Sequence, residues 1–116
     1  MSDQRRQRGQ QAEDMACVAL QKQGYHIRKR NFRRAQGEID IIAEKDGCLY
    51  FVEVRSKSGE LFGTAAESVN INKKRQIYRI AEIYLAEKNW QNECGFLVIA
   101  VDFAADKLEI IEDMLT

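Results

Sequence analysis

The chain has 116 residues, 45% of them hydrophobic and 31% charged, with 18 Lys or Arg balanced by 18 Asp or Glu. That length suits one domain, residues 1–116, with a core of its own, and the composition reads as globular and excludes a disordered chain. No stretch reaches the roughly 18 apolar residues of a membrane span, and the opening MSDQRRQRGQ lacks the apolar h-region of a secretory signal, so a cytoplasmic protein with no membrane partner is expected.

The first element is a helix from about Arg5 to Gln23. Ala12, Met15, Ala16, Ala19 and Leu20 recur along one helical face, and Gly24 supplies the stop. Glu13 lies at the rim of that stripe. YHIRKRNF follows as a strand with Tyr25 and Ile27 on one face, ending in the polar turn RRAQG. Its bases, interleaved with Phe32, suit either a strand that tracks a nucleic-acid backbone or an edge protected by charge. Residues 1 to 34 hold nine Lys or Arg against three acids, a net +6 that the remainder cancels with −6. A basic end fits a polyanionic partner, and equally a solvated face. His26 is the only histidine, which leaves no other imidazole for Cys-His or Ser-His catalysis, and Cys17, Cys48 and Cys94 form no C-x-x-C pair.

GEIDIIAEKDGCLYFVEVRSK reads as two strands around Asp46-Gly47, a dipeptide suited to a type I′ hairpin turn. That turn sets Lys45 against Cys48 and fixes the register. One face then carries Ile39 with Val54, Ile41 with Val52 and Ala43 with Tyr50, an apolar set that must bury. On the other face Ile42 meets Phe51, but Asp40 falls opposite Glu53 and Glu38 opposite Arg55. Opposed side chains lie about 5 Å apart at Cβ, so Asp40 and Glu53 repel. Two arrangements relieve this. A hard cation such as Mg²⁺ or Mn²⁺ can sit between the carboxylates, or Arg55 and another base can neutralise both on a wet face.

SKSGELFGT then reads as a loop. NKKRQIYRIAEIYLAEK is a second helix, with Asn72 as N-cap and Ile77, Ile80, Ala81, Tyr84 and Leu85 as its buried stripe. Lys73 stands four residues before Ile77, in line with that stripe. Lys73, Lys74 and Arg75 crowd a helix N-terminus, where the macrodipole favours anions; a bound phosphate would reconcile them, and so would simple solvation. GFLVIAVDF is an apolar run typical of a central strand covered on both faces, and KLEIIED follows a turn at Ala104-Ala105-Asp106 as a last strand. The expected fold class is α/β, a mixed central β-sheet flanked by helices in the order α-β-β-β-α-β, with a final strand and one parallel crossover.

The succession GQQAEDMA, GYHIRKRNFR, GEIDIIA, LYFVEVRSK and a Lys at the next helix start resembles the YraN-like family over nearly the whole chain. Members of that family are viewed as endonucleases distantly similar to archaeal Holliday junction resolvases. The resemblance implies a restriction-endonuclease-like core with the PD-(D/E)XK arrangement. It implies Asp40, Glu53, Arg55, Lys73 and Glu13 as the catalytic set, with Asp40, Glu53 and Glu13 holding Mg²⁺ or Mn²⁺. The expected partner is nucleic acid, DNA foremost, met by Arg30, Arg33, Arg34, Lys57, Lys73 and Lys74; paired incision of a junction would call for a homodimer.

Two departures bear on the chemistry. Related nucleases usually carry Lys where this chain has Arg55, and a guanidinium can clamp phosphate but does not accept a proton. Base function would pass to a metal-activated water or to Lys57, which alternates onto the same face. The family's Arg-Phe-Asp in the last core strand is here Gly95-Phe96-Leu97. A nucleic-acid-binding module that cleaves nothing, and a protein-interaction domain, are the alternatives to an endonuclease.

Overall fold

The computed structural model describes residues 2–57 and 71–113, with side chains over 6–56 and 72–112. Its elements are α1 (Ser2–Lys22), β1 (His26–Arg34), β2 (Gly37–Lys45), β3 (Cys48–Lys57), α2 (Ile71–Glu87), β4 (Cys94–Asp102) and β5 (Lys107–Asp113). The strands form one sheet in sequential order, antiparallel throughout except for the parallel pairing of β3 with β4. This is the expected mixed α/β architecture with its last strand formed. Of the predicted loop SKSGELFGT, Ser58–Thr64 lies outside the described residues.

Local chemistry sets the boundaries. At the end of α1, Gly24 takes φ 93°, the Tyr25 N–H donates to Leu20 O at 3.0 Å and the Gly24 N–H to Gln21 O at 3.0 Å, a Schellman stop. The end of α2 repeats it with Asn89 at φ 50° and the Trp90 N–H donating to Leu85 O at 2.9 Å. Asn serves there because its short polar side chain tolerates the left-handed region. Asp46 and Gly47 have φ 52° and 77°, as a type I′ turn requires, and the β2–β3 ladder runs in the expected register from Lys45↔Cys48 to Ile41↔Val52. Helix α2 already includes Ile71, so Asn72 stands in its first turn and is not the N-cap.

Both faces of the sheet are buried. Ala12, Ala16, Cys17 and Leu20 of α1 pack on Ile41, Ala43, Val52, Leu97, Ile99 and Val101. Ile77, Ile80, Ala81 and Tyr84 of α2 pack on the opposite face, against Phe32, Ile42, Leu49, Phe51, Phe96 and Val98. Successive β4 residues thus feed alternate cores, which explains its continuous apolar run.

Strict alternation fails at one rung. Ile39, expected on the Ile41 face, is buried with Phe32 beneath α2, whereas Ile41 is beneath α1. The register pairs Arg30 with Ile41 and Phe32 with Ile39, so both strands change face between those rungs. Asn31, at φ 53°, makes the change on β1; on β2 the intervening residue is Asp40. Glu38 is the register partner of Arg33 across the β1–β2 ladder, and its Oε2 accepts from Arg33 Nη2 at 3.0 Å.

The β1–β2 turn is fastened to α2. Gln76 Nε2 donates to Gln36 O at 2.7 Å, and a Cβ added at Gly37, where φ is 144°, would stand 2.7 Å from that same nitrogen. Gly37→Ala therefore meets both backbone strain and a clash, and it should lower stability by roughly 1–3 kcal/mol in urea unfolding. Adding Gln76→Ala should recover part of the loss; equal stability of Gly37→Ala and wild type would mean the turn does not hold this approach.

Candidate active site

The site forms where β2 and β3 part. Beyond Ile41↔Val52 the Val54 N–H is met by a side chain, Asp40 Oδ2, at 2.8 Å. Strand β3 continues there because β4 still pairs with it, with Glu53↔Val98 and Arg55↔Ala100 in parallel register. Without a partner the Val54 amide would be a costly orphan donor at the edge of a core, so the carboxylate has a structural task. Asp40 thereby sits at the rung where β2 changes face, within reach of groups on both sides of the sheet.

Glu53 belongs to the α2 side by alternation with buried Phe51 and Val52, and it is only 4% exposed. Lys73 Nζ, from the first turns of α2, lies 3.4 Å from its Oε2. Here the helical line from Ile77 back to Lys73 has its consequence: the same face that buries Ile77 delivers an ammonium to the buried acid. Burial raises the Asp40 carboxyl far above the usual range, to about 8, with the charge of Glu53 and a hydrogen bond to it acting next; the Val54 N–H opposes them. The charged form of Asp40 is therefore disfavoured beside Glu53.

On the α1 side, Glu13 accepts from Arg30 Nη2 at 3.3 Å, and Arg30 Nη1 also pairs with Asp14 at 2.9 Å. Burial lifts the Glu13 carboxyl and the negative charge of Asp40 lifts it further, while hydrogen bonds from Arg30 and Asn31 pull it down. Three acids from α1, β2 and β3 thus influence one another, with Asp40 as the link. Among the described residues no group of three or more His, Cys, Asp and Glu side chains is gathered tightly enough for a metal ion, so Glu13 stands beside the Asp40–Glu53 pair and does not complete a cage.

The other predicted residues separate into two groups. Arg55 is half-buried in β3, two residues beyond Glu53 and in register with Ala100. Lys74 is half-buried in the first turns of α2. Lys57 ends β3, and its side chain lies outside the described residues. The arginines of β1 are engaged with carboxylates: Arg30 as above, Arg33 with Glu38, and Arg34 with both oxygens of Glu87, its guanidinium 4.2 Å from the centre of the Phe32 ring. Sequence patterning passed over Asn31, which helps hold Glu13, and the Val54 amide, which holds Asp40. The one available signal was Asn itself, a residue tolerant of left-handed backbone.

The model of a family described as uncharacterised protein family UPF0102 matches residues 12–101, a span that includes Glu13, Asp40, Glu53, Arg55 and Lys73. The chain is 39% identical over 109 residues to a UPF0102 protein of Magnetococcus marinus, covering 90% of this chain and 88% of the relative. It is 43% identical over 106 residues to one of Desulforamulus reducens, covering 89% and 87%, and 42% identical over 109 residues to one of Cupriavidus taiwanensis, covering 93% and 82%.

The raised Asp40 carboxyl fixes the sign of a pH effect. The folded state holds a proton that the unfolded chain releases near pH 3.8, so this group's contribution is complete below that pH and is lost as pH rises towards about 8. Free of divalent ions, the wild type should lose stability across that window relative to Asp40→Asn, which still accepts from Val54 N–H. At pH 8 the variant should be more stable by roughly 1–3 kcal/mol in thermal or urea unfolding. A variant that is less stable at every pH would show that the two acids do not repel.

Proposed function

The chain belongs to the UPF0102, or YraN-like, family, and we propose that it is a metal-dependent endonuclease-like domain that hydrolyses phosphodiester bonds of nucleic acid, DNA foremost. The observation that carries this reading is the apposition of Asp40 and Glu53 at the parting of β2 and β3, with Lys73 3.4 Å from Glu53. A buried and a half-buried carboxylate that repel one another are a poor structural solution and a good donor set for a hard divalent cation. The element order and the mixed sheet suit a restriction-endonuclease-like core, in which Asp40, Glu53 and Arg55 would stand at the PD-(D/E)XK positions.

In this reading Asp40 and Glu53 hold Mg²⁺ or Mn²⁺ and Glu13 assists from α1. When bound, such an ion supplies Lewis-acid polarisation of the phosphoryl group and lowers the pKa of a water. Asp40 orients its carboxylate through the Val54 N–H, and Glu53 is aimed by the β3–β4 pairing. Lys73 and Arg55 stabilise negative charge developing on the phosphate. Hydrogen bonds from Arg30 and Asn31 hold the Glu13 carboxylate in place. Cytoplasmic location and action on nucleic acid belong to this same proposal. No described helix is long and apolar enough to cross a membrane.

One observation favours a second reading, a nucleic-acid-binding module of the same fold that does not cleave. Arg55 stands where related nucleases carry a Lys, and a guanidinium clamps phosphate without serving as a proton acceptor.

Thermal unfolding with increasing Mn²⁺ should raise the midpoint of the wild type, since an ion bound only by the folded state stabilises it by mass action. Asp40→Asn and Glu53→Gln should abolish that rise. The same variants should abolish cleavage of branched, flapped or single-stranded DNA. No shift in the wild type, or the same shift in Asp40→Asn, removes the metal and the nuclease with it; binding without cleavage under every metal tested leaves the second reading.

A further inference from the structure

The four arginines of β1 do not share the condition of those on α2. Arg28 pairs with Glu44 at 2.6 Å, Arg30 with Asp14 at 2.9 Å, Arg33 with Glu38 at 3.0 Å and Arg34 with Glu87 at 2.8 Å. Arg75 and Arg79 of α2 are exposed and enter no ion pair among the described residues. They line a trough of about 520 Å³ together with Gln36, Asn72, Lys73 and Gln76, none of them acidic. At i and i+4 on one helix, the two guanidinium groups issue from points about 6 Å apart along its axis.

The trough is continuous with the site. Lys73 belongs to both, lining the trough while its ammonium lies 3.4 Å from Glu53. The far wall is fixed by Gln76 Nε2 donating to Gln36 O at 2.7 Å, which ties the β1–β2 turn to α2 and keeps the trough's two sides together. Three cations and three neutral amide side chains in one concavity offer charge and hydrogen-bond donors to phosphate oxygens. Arg75 and Arg79, exposed one turn apart on the same side of α2, match a linear polyanion better than an isolated phosphate.

Resting on the nuclease-like reading above, we infer that this α2 trough binds the phosphodiester backbone flanking the reacting phosphate, with Arg75 and Arg79 as its main contacts. The nucleic acid then approaches Asp40 and Glu53 across the N-terminal half of α2. The β1 arginines serve chiefly to hold carboxylates of the protein itself, Glu13 among them.

The test is binding of short fluorescein-labelled DNA, single-stranded and duplex, followed by anisotropy in EDTA over a range of salt. Arg75→Ala/Arg79→Ala should bind about tenfold more weakly at low salt, and its plot of log K against log salt should be shallower by about 1.5–2. Arg75→Lys/Arg79→Lys should keep most of the wild-type slope, and Lys107→Ala, on the opposite edge strand, should match the wild type. Thermal unfolding of each variant checks that the fold is kept. An unchanged affinity and slope in the double alanine variant overturns the trough, whatever the Mn²⁺ and cleavage results. A reduced slope in a protein that cleaves nothing sustains the trough while the nuclease reading fails. A wild type that binds no nucleic acid at low salt overturns both.

Discussion

A backbone amide in need of an acceptor organises this molecule's most unusual region. Strand β3 is held on one side by β4 along its length, while β2 leaves it after Ile41. The Val54 N–H then faces Asp40 Oδ2 at 2.8 Å where a ladder carbonyl would otherwise lie. A carboxylate that satisfies an amide is stabilised there, but the same position brings it against Glu53, and burial penalises its charge. The sheet therefore keeps a high-energy pair of acids in place by means of an ordinary hydrogen bond.

Around that pair the architecture divides the work between two layers. Helix α1 brings Glu13 to one side of the sheet, held by Arg30 and Asn31; helix α2 brings Lys73 to the other, against Glu53. Asp40 reaches both because β2 changes face at its own rung, opposite the left-handed Asn31. Neither helix could contribute to a common centre if the sheet stayed closed. The opening between β2 and β3 lets groups from both layers act on one another through Asp40.

Arginine chemistry sorts the basic surface in a similar way. The guanidinium groups of β1 lie within reach of Glu13, Asp14, Glu38, Glu44 and Glu87, where the paired geometry anchors strand to helix and strand to strand. Such partly exposed pairs contribute little to stability individually, typically under about 1 kcal/mol, but they fix where carboxylates point. Those on α2 face a trough with no acid among the described residues of its lining. Net charge along the chain therefore says less about where a polyanion would lie than the local pairing does.

Much of the fold was legible because its signals are local. Asp46-Gly47 sets the hairpin register through its positive φ values, Gly24 ends α1, and the i, i+4 line from Lys73 to Ile77 places an ammonium on the sheet-facing side of α2. Asp40 and Glu53 stood out for the same reason, as like charges at facing positions. The sequence by itself thus determined the elements and their order, and its patterning singled out Asp40, Glu53 and Lys73 as candidates. Only the tertiary structure decided that Ile39 and Ile41 serve opposite cores, that Arg30 belongs to Glu13, and that Asp40 is held by the Val54 amide. Those outcomes depend on β3 finding a parallel partner some forty residues downstream, and no periodicity within the hairpin records where a distant strand will pull it from its neighbour.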